Sequence, residues 1–129
     1  QFKQMIKEFG IENNLIYEGW QSDLDKWLED KNYILCTSIL ESQNTSVMQA
    51  MAKGIKPIIH NFVGAKNIYP KALVWNSISE AVKIISSSEY NSKEYFLYVK
   101  NNFELNDQID KIKVIFNSAN FYNWSRIKG

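Results

Sequence analysis

A single cysteine and a single histidine in 129 residues exclude two chemistries at once. Cys36 has no second thiol to pair with, so no disulfide can form within the chain, and one His with one Cys cannot supply the N/S ligand set of a zinc site. With neither His nor Lys beside it in sequence, Cys36 reads as a small apolar residue of a buried strand. Excess charge is missing too: 15 Lys and Arg stand against 14 Asp and Glu, a formal net charge of +1. That balance argues against a nucleic-acid partner, whose footprint needs a basic face. No apolar run approaches the roughly 18 residues that a membrane span requires, and the first residues do not read as a signal peptide. A cytoplasmic location is the expectation. There are no linkers, low-complexity tracts or charge runs, and 45% hydrophobic with 22% charged residues suits one domain with one core.

What is present alternates. Phe2, Met5, Ile6 and Phe9 recur at helical spacing, with Gly10 as a stop. Leu15 to Glu18 reads as a strand. Ser22 and Asp25 have the spacing of a capping box ahead of the stripe Leu24, Trp27, Leu28, which predicts a helix to about Asp30. Tyr33 to Thr37 reads as a buried strand, Lys56 to His60 as another, and Leu73 to Trp75 as a short third, with a loop from Gly64 to Pro70 between the last two. Ser77 and Glu80 form a second capping box before Ala81, Ile84 and Ile85, and two helices follow, about 93 to 102 and 107 to 118. The class is therefore α/β, a Rossmann-like parallel sheet flanked by helices, whose ligands sit at the carboxyl ends of the strands.

The most informative stretch is 41 to 59. Asn44, Thr45 and Ser46 offer N-cap side chains before Val47, Met48 and Met51, and Gly54 sits where a left-handed residue ends a helix, predicting a helix over about 45 to 53. Its first turn presents unpaired N–H groups and the positive end of the helix dipole, which suits a phosphate. Glu41 precedes this helix and Gln49 lies two turns along it. Residues eight apart on a helix differ by about 80° in direction and about 12 Å along the axis, so the pair could bracket an elongated ligand.

These residues resemble the E-x7-E signature of retaining glycosyltransferases of the GT-B fold, and Gln49 through Ile59 resembles the family's E-A-M-A-x-G-x-P-V-I continuation. Leu15 to Gly19 is similar to the family's V-x-F-x-G strand end, Tyr33 to Ser38 to its strand leading into P-S, and His60 to Ala65 to its loop with G-G or G-A. Phe121 to Trp124 resembles an aromatic turn near the family's C-terminus. The likeness spans about residues 2 to 127 and identifies residues 1–129 as a partial nucleotide-sugar-binding domain, the C-terminal half of such an enzyme.

The resemblance implies transfer of a sugar from a nucleotide diphosphate donor to an acceptor hydroxyl with retention, usually without a metal and with no other cofactor. Glu41 would hydrogen-bond the donor sugar near the reacting carbon, Ser42, Gln43 and Asn44 would line the donor, and the amides of Thr45 and Ser46 would face the diphosphate. Gln49 stands where a Glu grips both ribose hydroxyls, Gly64 belongs to the loop opposite, and Gly19 with Trp20 would flank the nucleobase. The acceptor, a sugar or a lipid-linked acceptor, would be held by an N-terminal domain of a longer protein that could touch the inner face of a membrane peripherally.

Departures from the pattern matter. Gln49 lacks the charge and second acceptor oxygen of a carboxylate, Asn44 replaces a Gly, Gln43 an aromatic, and Asn67 stands where the family often has Glu. Two strands with a phosphate-binding Arg and Lys and a Gly-rich turn would precede Gln1 and lie between strands 15–18 and 33–37, so the chain alone should not catalyse. A non-catalytic nucleotide-sugar-binding or scaffolding homologue is the competing reading. A receiver-like module lacks its acid cluster. His60 and the tryptophans Trp27, Trp75 and Trp124 read as structural rather than catalytic.

Overall fold

The structure, a computed structural model, describes residues 1–119. Helix α1 (Phe2–Glu8) leads by way of an irregular stretch to α2 (Leu24–Trp27), and β1 (Tyr33–Cys36), α3 (Thr45–Ala52) and β2 (Lys56–His60) then form a β-α-β unit. After it come α4 (Ala65–Ile68), a single 3₁₀ turn (Lys71–Leu73), β3 (Val74–Trp75), α5 (Ile78–Ser86), α6 (Ser92–Phe103) and α7 (Leu105–Ala119). The strands form one parallel sheet in the order β1-β2-β3. It is a small α/β sheet flanked by helices, compatible with a Rossmann-like fold.

Strand β2 is central, and its alternating side chains feed two cores. Ile59 joins Cys36, Val47, Met48, Met51, Phe62 and Tyr69 on one face, while Ile58 joins Trp75 and Ala81 on the other. Paired on both edges and covered on both faces, β2 is buried from Lys56 to Ile59. Strand β1 is not. Its Leu35, in register with Ile58, lies on the face that α5 covers, but α5 packs mainly on β2 and β3. Leu35 and Tyr33 are accordingly exposed while Cys36 is buried.

Lys56 is only 2% exposed, and its cation has neutral partners. Nζ donates to the carbonyls of Ile84 and Glu89 and to Ser87 Oγ at 2.7–2.8 Å, so the ammonium sits at the carboxyl end of α5, where the helix dipole favours positive charge.

Most predicted elements form, with corrections. Leu15 to Glu18 is no strand: the chain is irregular there, Ile16 and Tyr17 are exposed, and no ladder partner exists among the described residues. Helix α2 is one turn rather than a run to Asp30, and its cap is Asp23, whose Oδ1 accepts from Lys26 N at 3.0 Å, not Ser22. The predicted loop 64–70 contains α4. Ser77 caps α5 as expected, but the Glu80 carboxylate accepts from Asn76 N at 2.7 Å instead of closing the box on Ser77. Those bonds from Asn76 hold the exposed Glu80 carboxyl below its ordinary range. The aromatic turn Phe121–Trp124 lies outside the described residues.

Candidate functional site

The carboxyl end of β1 runs through residues 37–44 into α3, and the end of β2 runs through Asn61–Gly64 into α4. These two crossings border one surface. Helix α3 starts where predicted because Asn44 is a competent N-cap: its Oδ1 accepts from Val47 N at 3.2 Å and its carbonyl from Met48 N at 3.2 Å. Among the described residues the N–H groups of Thr45 and Ser46 have no acceptor, so two donors and the dipole of an eight-residue helix face outward. The helix ends in a Schellman motif, Gly54 N to Met51 O at 2.8 Å and Ile55 N to Ala50 O at 3.0 Å, with Gly54 at φ +78°.

Asn44 also organises what surrounds it. Its Nδ2 donates to Glu41 Oε1 and to Cys36 Sγ, each at 3.3 Å, and its carbonyl accepts from the Tyr69 hydroxyl at 3.3 Å. One residue thereby ties the end of β1, the loop carboxylate, the start of α3 and the residue after α4. Burial first, and the neighbouring Cys36 next, push the Tyr69 hydroxyl up to about 12, against the opposing bond to the Asn44 carbonyl. Asn44 itself has φ −80°, so this position makes no demand for a left-handed backbone.

Of the sequence-predicted residues, Glu41 and Asn44 are half-buried and joined, while Ser42, Gln43, Thr45, Ser46 and Gln49 are exposed around them. Gly64 is exposed at the start of α4 with φ +92°. Gly19 and Trp20 are not tied to this cluster by any hydrogen bond among the described residues, and Trp20 is 93% exposed. His60 has a structural seat: its Nδ1 contacts the Ser38 carbonyl at 3.1 Å, where only the protonated nitrogen can donate, and its ring stands edge-on to Trp75 at 4.7 Å. Trp27 donates to Glu18 and lies under the Lys31 ammonium, as a packed anchor.

Sequence reasoning missed Tyr69 and the contact of Asn44 with Cys36. Neither carries a local signal, since 25 and 8 residues separate the partners. Cavities of about 410 Å³ between residues 14–18, α2 and β1, and about 350 Å³ along α6, lie away from Glu41. Among the described residues no cluster of His, Cys, Asp and Glu has the makings of a metal centre, and no helix is long and apolar enough to cross a membrane.

The chain is similar to Protein CapJ of Staphylococcus aureus. The two are 24% identical over 136 residues, which cover 95% of this chain and 34% of CapJ. The chain thus spans about a third of the length of that relative. No family model and no solved structure matches it.

Proposed function

We propose that this chain is the donor-binding half of a glycosyltransferase of polysaccharide biosynthesis, moving a sugar from a nucleotide diphosphate donor to an acceptor hydroxyl with retention. The observation that carries the reading is the half-buried Glu41 held beside the start of α3, where the Thr45 and Ser46 amides are unpaired and point outward. In this reading the departing diphosphate is stabilised by those amides and the helix dipole, which are already oriented and need no reorganisation as charge develops. Glu41 accepts hydrogen bonds from the donor sugar's hydroxyls. Gln49, exposed about one turn along α3 rather than two, faces the ribose. The GT-B assignment, the acceptor and any membrane contact belong to the longer protein implied by the E-x7-E resemblance.

Calorimetry of the intact protein with uridine and guanosine diphosphates tests the reading. Saturable binding is expected, and Gln49→Glu should tighten it by about 1 kcal/mol, the gap between a neutral and a charge-assisted bond. No saturable binding at millimolar ligand by folded protein would sink the donor-site reading; binding that Gln49→Glu leaves unchanged would place the ribose elsewhere. The neutral amides Gln49 and Asn67 favour a second reading, a binding homologue without transferase activity. Sugar transfer by the intact protein separates the two.

A further inference from the structure

Asn44 uses every hydrogen-bonding group it has apart from its own N–H. Its Oδ1 accepts from Val47 N, its two Nδ2 hydrogens go to Glu41 Oε1 and Cys36 Sγ, and its carbonyl serves both Met48 N and Tyr69. The amide cannot turn over. Flipping it would aim the NH₂ group at the Val47 N–H and the oxygen at the Glu41 carboxylate, two repulsive contacts in place of two bonds. The side chain is therefore a rigid bracket with one end on the helix start and the other on the carboxylate.

We propose that Asn44 is the positioning residue of this site, holding the Glu41 carboxylate against the start of α3 so that sugar and diphosphate are gripped in one fixed spacing. The proposal rests on the donor-site reading above and deepens it. Capping and positioning are separable, because capping uses Oδ1 alone and positioning uses Nδ2. Asn44→Ser retains a good N-cap and loses the grip on Glu41. Asn44→Asp retains the cap oxygen but sets a second carboxylate oxygen where Nδ2 faced Glu41, 3.3 Å away.

The intact protein is titrated with uridine and guanosine diphosphates and with UDP-glucose and GDP-mannose. For Asn44→Ser the expected result is diphosphate binding within about twofold of wild type, with the extra affinity of the sugar conjugate lowered to that of Glu41→Ala. Asn44→Asp should lose more of it. A purely structural role would instead weaken both ligands in parallel, and that result, or an Asn44→Ser protein that binds the conjugate like wild type, overturns the proposal. A ligand-free control is the urea-unfolding cycle of Asn44→Ser, Glu41→Ala and the double variant. The two changes should be coupled by about three- to tenfold in the folding equilibrium, because each removes the same bond. Additive effects mean that Asn44 does not hold Glu41. Failure of wild type to bind any of the four nucleotides would instead fell the donor-site reading.

Discussion

Residues 44–75 and residues 11–40 have similar apolar content and opposite fates. In the first stretch α3 is capped at both ends, β2 is paired on both edges, and Val47, Met51, Ile58, Ile59 and Phe62 are buried. In the second, Ile16, Tyr17, Ile39 and Leu40 are exposed, and β1 has one open edge among the described residues. The difference teaches that apolar side chains order a segment only where backbone partners lie within reach. Leu15 to Glu18 has the composition of a strand and no ladder to join among the described residues, so Ile16 and Tyr17 stay largely in water.

The comparison can be broken outright by a measurement of association. The apolar open edge of β1, with Leu35 and Tyr33 exposed beside it, should recruit other chains, so the isolated 129-residue chain is expected to self-associate in light scattering. Leu35→Lys should reduce the association. A monodisperse, cooperatively melting monomer would show that the exposed region is satisfied by itself.

On the ordered side, Lys56→Met should cost about 2–4 kcal/mol in urea unfolding. It keeps the buried stem but removes the ammonium's bond to the Glu89 carbonyl and one of the two donors to the Ile84 carbonyl, which retains the Ser87 hydroxyl. A loss below about 1 kcal/mol would mean that water replaces the ammonium.

Two glycines set a packed helix end beside an unpacked one, because both close Schellman motifs: Gly10 after α1, just ahead of the second stretch, and Gly54 after α3. A Cβ on Gly54 would meet Ser92 Oγ at 1.9 Å, whereas one on Gly10 meets nothing within 4 Å. Gly54→Ala should therefore cost about 2–3 kcal/mol, from left-handed strain plus the clash, and Gly10→Ala about 1 kcal/mol from strain alone. Equal losses in thermal melts would erase the distinction between packed and unpacked ends.

The last effect shows itself only as a slope at high pH. Burial pushes the Tyr69 hydroxyl up to about 12 from its ordinary 10.0. The unfolded chain thus ionises first, and the contribution is fully present below pH 10 and is lost as pH rises toward 12. Unfolding free energies over that window should fall less steeply in Tyr69→Phe. Tyr90 and Tyr98, raised in the same direction by burial, supply the remaining slope.

By itself the sequence determined the elements whose signals are local. Asn44 and Ser77 mark helix starts, Gly10 and Gly54 mark stops, and Lys56 to His60 reads as a strand, each because capping, left-handed φ and β-branched runs act within a few residues of chain. It also brought Glu41 and the start of α3 together, since three residues cannot separate them far. Only the tertiary structure decided which strand-like segments would pair, that α5 packs mainly on β2 and β3 while Tyr33 and Leu35 of β1 stay exposed, and that the Lys56 ammonium finds the end of a helix some thirty residues away. Tyr69, 25 residues from Asn44, belongs to the same class. Such contacts depend on the register of separate elements packed in space, and no short-range preference of the chain encodes that register.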